Sequence, residues 1–207
     1  MLLKTILGGA FALVIAASPA LACKGTEIFS DDFSSSDGPW QHTDGVNIGG
    51  GFAEMKPESG KNAVMVYESQ QIKDFDVCAD ITYPQAKNPD EGGAIGGIIF
   101  WLTLDPASFY LMATTPGGML GTVRVNRGRV LLAAPFRKYN FIKTGAGSKN
   151  TFRVTAKGGS VTVYANDQRA AAFRGQADDG FIGLYAESEK DQVNTWKFSN
   201  FKLSDPQ

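Results

Sequence analysis

One histidine and two cysteines are all that 207 residues offer in the way of imidazole and thiol. A Cys/His structural zinc site needs four such ligands, so the sequence does not provide one. The charge balance also lacks a sign, with 20 Lys and Arg against 21 Asp and Glu and a formal net charge of −1. Without a basic excess there is no general attraction to phosphate backbones, and nucleic acid is not an expected partner. Beyond residue 22 there is no apolar run long enough to cross a bilayer as a helix. Nor does any window hold the i, i+3, i+4, i+7 spacing of an amphipathic helix over three turns.

What the chain has is a leader, many glycines and much phenylalanine. Lys4 precedes the apolar stretch Ile6 to Ala17, and Ser18-Pro19-Ala20-Leu21-Ala22 leads into Cys23. Small residues at Ala20 and Ala22 suit a signal peptidase, so residues 1–22 read as a signal peptide and residues 23–207 as one domain, exported to the periplasm or the extracellular space. Loss of the leader removes Lys4 and takes the formal charge to −2. Cys23 then has two readings. It could carry a lipid anchor, or it could pair with Cys78 in an oxidising compartment. Ala20 stands where a lipobox usually has Leu, which favours the disulfide. Closing that loop restricts the unfolded chain by on the order of 4 kcal/mol.

From Glu27 onward, short alternating runs are separated by Gly, Asn, Asp and Pro. Phe152, Val154 and Ala156 alternate with polar neighbours, Lys157-Gly158-Gly159-Ser160 turns the chain, and Val161, Val163 and Ala165 alternate on the return. This pattern predicts a hairpin with one buried face. Asn126-Arg127-Gly128 and Asn166-Asp167 supply further turns. Other strands are expected at 27–33, 51–56, 63–68, 75–83, 94–104, 109–114, 181–186 and 194–203. Roughly a dozen short strands predict an all-β, two-sheet sandwich. The segments 84–93, 140–150 and 187–192 read as loops, and no linker or internal repeat divides the chain.

Three stretches carry a resemblance. They are Gly93-Ala94-Ile95-Gly96-Gly97-Ile98-Ile99-Phe100-Trp101 followed by Ser108-Phe109-Tyr110-Leu111; the hairpin from Asn150 to Val154 and Val161 to Asp167; and Gly180 to Ala186 with Trp196 to Leu203. With Asp31-Asp32-Phe33 they resemble the concanavalin A-like lectin/glucanase superfamily, in particular laminin G-like jelly rolls such as bacterial 3-keto-disaccharide hydrolase-like domains. The resemblance implies an antiparallel jelly roll and a carbohydrate or glycan as partner. Glycosidases of that superfamily commonly carry Glu-x-Asp-x-x-Glu, which places two carboxylates about 5 Å apart across the sugar bond. The motif is missing here. Its nearest string, Glu189 to Asn194, ends in Asn and reads as a solvated loop.

Strand parity offers a binding face instead. Ile98, Phe100, Leu102 and Leu104 form one set on their strand, and Ile99, Trp101 and Thr103 the other. If the neighbouring strands align, Trp101, Tyr110 and Arg124 share a face of the concave sheet with Thr103, Thr122 and Asn126. Aromatic planes beside hydrogen-bond donors suit sugar rings; the competing reading is that Trp101 and Tyr110 cover the sheet beneath residues 136–141. A glycoside hydrolase or lyase of the 3-keto-disaccharide type would use Asp105 as acid/base and Arg124 as charge stabiliser. An envelope structural protein without a small ligand is the third reading. Apart from calcium no cofactor is implied: Asp31 and Asp32, with Asn200 or Asp205, could hold Ca2+ as in β-sandwich sugar-binding modules, or could simply mark an edge and a turn. His42 reads as a surface or turn residue.

Overall fold

A computed structural model describes residues 23–104 and 107–207. The leader expected over residues 1–22, and Asp105, lie outside the described residues. Among the described residues there is no helix, and none long and apolar enough to cross a membrane.

The chain forms β1 (Glu27–Asp31), β2 (Trp40–His42), β3 (Val46–Gly49), β4 (Phe52–Met55), β5 (Asn62–Ile72), β6 (Phe75–Thr82), β7 (Ile95–Leu104) and β8 (Ala107–Thr114). It continues through β9 (Met119–Asn126), β10 (Arg129–Lys138), β11 (Lys149–Lys157), β12 (Ser160–Ala165), β13 (Gln168–Arg174), β14 (Gly180–Glu187) and β15 (Trp196–Ser204). One antiparallel sheet has the order β13-β12-β11-β6-β15-β4-β3, with β1 added against β15; the other runs β10-β9-β8-β7-β14-β5-β2. This is the two-sheet jelly-roll sandwich that the sequence implies. The pattern missed β2 and β3, which are too short for alternation to register; His42 sits exposed on β2, with its Nδ1 3.1 Å from the Thr43 carbonyl.

The core lies between the sheets. From the first come Phe75, Val77, Ala79 and Ile81 on β6 and Phe152, Val154 and Ala156 on β11; from the second come Ile98, Phe100, Met112, Ile182 and Leu184. The expected hairpin is present in register, with Val154 opposite Val163 and Ala156 opposite Val161. Alternation then fixes the outer face of the first sheet, where Asp76, Cys78 and Asp80 project from β6. Cys78 is bonded to Cys23, closing a loop with a sequence separation of 55. Asp76 is fully buried and accepts from Arg153 at both oxygens, from Nε at 2.7 Å and Nη2 at 2.6 Å. Burial pulls the Arg153 pKa down, but the hydrogen bonds and charge of Asp76 more than offset this and leave it raised.

Glu189 corrects an expectation. It is buried, not part of a solvated loop, and its carboxylate accepts from the backbone N–H of Lys87 at 3.0 Å and of Asn88 at 2.7 Å. Burial raises its pKa, but these donors and the Asn194 amide prevail and hold it below the ordinary glutamate value. The residue ties the 84–93 segment to the turn after β14.

Candidate binding sites on the second sheet

β7, β8 and β9 are neighbours, as the parity reading requires, and Leu131, Arg124, Tyr110 and Phe100 form one cross-strand row. That row lies on the inner side of the sheet. Tyr110 is 5% exposed and its ring stacks on Phe100 at 5.4 Å between centroids, facing the opposite sheet rather than an open groove. Thr122, on the same side, is buried as well.

Trp101 reaches this side by a route that alternation does not foresee. Between Phe100 and Thr103 three steps on β7 face two on β8, and the same offset recurs against β14. The extra residue is a β-bulge. Trp101 takes it up with φ of 52°, in the left-handed region, and lands on the same side as Phe100 instead of beside Ile99. It is 2% exposed, and its indole N–H donates to the Lys73 carbonyl at 2.7 Å. A Cβ at Gly175 would lie 2.6 Å from the Trp101 ring, and one at Gly180 2.5 Å from its backbone, so both positions need the small residue. The sugar platform expected from Trp101 and Tyr110 is therefore mostly sealed in the core.

At the edge of the sandwich part of it reaches solvent. Trp101, Thr103, Ser108, Tyr110 and Arg124 line a cavity of about 90 Å³ with Gln176, Ala177 and Asp178 from the segment before β14. Arg124 lies over the Tyr110 ring at 5.6 Å, and its buried Nε has no hydrogen-bond partner among the described residues. The backbone N–H of Gln176 donates to the Tyr110 hydroxyl at 2.9 Å, which fixes the rim. Asn126 lies half-buried at the end of β9, opposite Ser108 and Arg129, and does not line the cavity. The sequence thus grouped four lining residues correctly by position. It could not show that their face points inward, nor supply Gln176 and Asp178, which come from an irregular segment.

The outer face of the second sheet is apolar. Leu132, Val123, Leu111, Ile99, Gly183 and Val66 form one row across six strands. Leu102, Phe109, Phe181 and Tyr185 flank it, and Phe136 lies over Gly121, where a Cβ would come within 2.7 Å of its ring. Phe136 thus covers the opposite face from Trp101, whereas Tyr139 and Phe141 of the same segment pack against the core cluster to which Trp101 and Tyr110 belong. A trough of about 290 Å³ runs along this face, with Phe109, Val125, Val130, Phe136 and Tyr185 among its walls. Its polar end is Tyr185, whose hydroxyl donates to Glu187 at 2.7 Å; burial, with Glu187, pushes its pKa upward.

At the proposed calcium position, Asp31 accepts from the Phe33 backbone at 2.7 Å and from the Trp40 indole at 2.7 Å, while Asp32 accepts from the Ser34 backbone. Asn200 donates to Asp80 at 2.8 Å, and Asp205 pairs through its backbone with Thr26. Among the described residues no group of three or more His, Cys, Asp or Glu side chains converges. Asp31 and Asp32 here serve as turn acceptors.

Comparison with known proteins places the fold. No protein-family model and no curated sequence matches the chain. Among solved structures it is similar to the carbohydrate-binding module CBM66 from Bacillus subtilis, with a TM-score of 0.65 and 17% identity over 84% of this chain and 99% of that one. It is also similar to a Bacillus licheniformis beta-glucanase, TM-score 0.65 and 10% identity over 88% and 99%. A lichenase from a mouse hindgut metagenome gives 0.68 and 8% over 86% and 98%. The fold is the concanavalin A-like jelly roll.

Proposed function

We propose that the protein is an exported glycan-binding module that holds the edge of one sugar residue in the rim cavity, without catalysis. The carrying observation is Arg124: a guanidinium beside an aromatic ring, with a buried Nε that has no acceptor among the described residues. A buried donor left unpaired is costly, and a sugar hydroxyl pair or a sugar carboxylate would satisfy it. Thr103, Ser108 and Asp178 add hydroxyl and carboxylate partners around the same space, and Tyr110 and Trp101 give it apolar walls. A water occupies about 30 Å³ in the liquid. A cavity of about 90 Å³ therefore takes the edge of a ring and not an extended glucan.

The jelly-roll neighbours, which include a carbohydrate-binding module and glucanases, support a glycan as ligand. Asp178 is the carboxylate among the described lining residues, whereas retaining hydrolysis uses two. The disulfide suits an oxidising compartment and supports export.

The reading is tested by glycan-array screening followed by calorimetric titration of the best ligand against wild type and Arg124→Ala. Loss of one charged hydrogen bond should weaken binding by about tenfold or more, with the melting curve as a folding control. Undiminished affinity in a folded Arg124→Ala would remove this cavity as the site. Turnover of a glycoside would replace binding by catalysis.

A further inference from the structure

The exposed large apolar side chains of this protein are not scattered. Of the five among the described residues, Leu104, Val130, Leu131, Leu132 and Val193, the first four lie at one corner of the second sheet, Val130 and Leu132 on its outer face and Leu131 on the inner side opposite Arg124. Leu104 pairs with Ala107 at the end of β7; Ser108 pairs with Asn126; and Asn126 pairs with Arg129 across the turn that carries Arg127 and Gly128. The Arg127 backbone N–H donates to the Ala107 carbonyl at 3.1 Å, which holds the β7–β8 end and the β9–β10 tip together. Leu104 is 60% exposed, Val130 67%, Leu131 51% and Leu132 62%. Such concentration is unusual for an unpartnered surface.

Two arginines stand at this corner. Arg127 and Arg129 stand exposed at the hairpin tip, and neither forms an ion pair among the described residues. In a chain of net charge −1 this is a local positive field around an apolar tip. The apolar trough continues inward from the same place, since Val130 and Val125 line it.

We propose that this corner docks on an anionic lipid bilayer, with the β9–β10 tip and Leu104 entering the headgroup region and Arg127 and Arg129 meeting lipid phosphates. The combination of arginines at the hairpin tip with exposed apolar side chains directly behind them is the chemistry of an interfacial anchor. A second copy of the chain fits worse. β10 is an edge strand, but its pairing is broken by two register irregularities, Pro135 interrupts its line of donors, and Arg129 would approach Arg137 or Lys138 of the other copy in an antiparallel pair. The corner adjoins the Arg124 cavity, but Leu104, Arg127, Arg129 and Val130 do not line that cavity, so the proposal does not depend on the glycan reading.

Vesicle co-sedimentation tests it, using the purified protein with phosphatidylcholine vesicles and with 3:1 phosphatidylcholine:phosphatidylglycerol vesicles. Binding is expected to the anionic vesicles alone at low salt. Each arginine near the surface contributes about 1 kcal/mol, so Arg127→Glu with Arg129→Glu should lower the partition coefficient at least about 30-fold. Leu104→Ser with Val130→Ser should abolish pelleting with an unchanged melting curve. Equal binding to neutral vesicles, no binding to either, or a Val130-dependent dimer without vesicle binding would each overturn the proposal. Glycan affinity measured on the same variants separates the two readings, because it should not change.

Discussion

The two sheets turn opposite chemistries to the outside, although both are built from alternating strands. Outside the first, Asp76 and Arg153 form a two-point ion pair, Asp80 accepts from Thr151 and Asn200 and pairs with Lys149, and Lys197 and Lys202 pair with Glu54 and Glu27. Outside the second lies a continuous apolar surface running from Leu132 to Val66, covered locally by Phe136. One face is complete in water; the other has unspent apolar area. A disulfide tethers the first, and none joins the strands of the second among the described residues. The difference teaches where the stability resides and where a partner can be accommodated.

Three outcomes would break or sharpen this contrast. The largest concerns the covalent tie: Cys23→Ala with Cys78→Ala should lower the unfolding free energy in urea by about 4 kcal/mol, the loop-closure value for a separation of 55. An unchanged midpoint would show that the first sheet does not rely on it. Next, Asp76→Ala strands the Arg153 guanidinium and the Lys24 backbone N–H, both of which donate to it. Breaking a buried pair in this way should cost about 3 kcal/mol by the same titration. The smallest effect is expected on the other sheet. Leu132→Ser, at a position already mostly exposed, should alter the unfolding free energy by less than about 0.5 kcal/mol. A large loss there would mean that the apolar face already supports the fold by itself.

Most of the architecture was legible in the sequence because strand period and turn chemistry agree locally. Phe152, Val154 and Ala156 against Val161, Val163 and Ala165 fix both the faces and the register of a hairpin. The cysteine pair was the favoured of two readings of Cys23, and the Cys23–Cys78 bond is present. The candidate site was legible only in its membership. Thr103, Tyr110 and Arg124 do line one cavity with Trp101, but parity could not tell an inner face from an outer one, nor foresee the bulge that turns Trp101 beside Phe100. A signal was available in β7 and β8, where Ile98 to Leu102 and Phe109 to Ala113 are apolar without a break. A strand apolar at every position is covered on both faces or waits to be, and that describes the second sheet. Glu189 reads as solvated in the sequence because its burial depends on backbone donors at Lys87 and Asn88, a hundred residues away in the chain.

One feature of the first sheet has a meaning for the topology of the polypeptide. β1 pairs with β15, the Asp205 N–H donates to the Thr26 carbonyl at 2.9 Å, and Cys23 is bonded to Cys78 on β6, another neighbour of β15. The first and last described strands therefore meet at one seam, and the domain is close to a ring that happens to be open there. New ends could be cut at exposed Gly158 in the two-residue turn between β11 and β12, with a short linker sealing the old ones, while the strand pairings of the sandwich are retained.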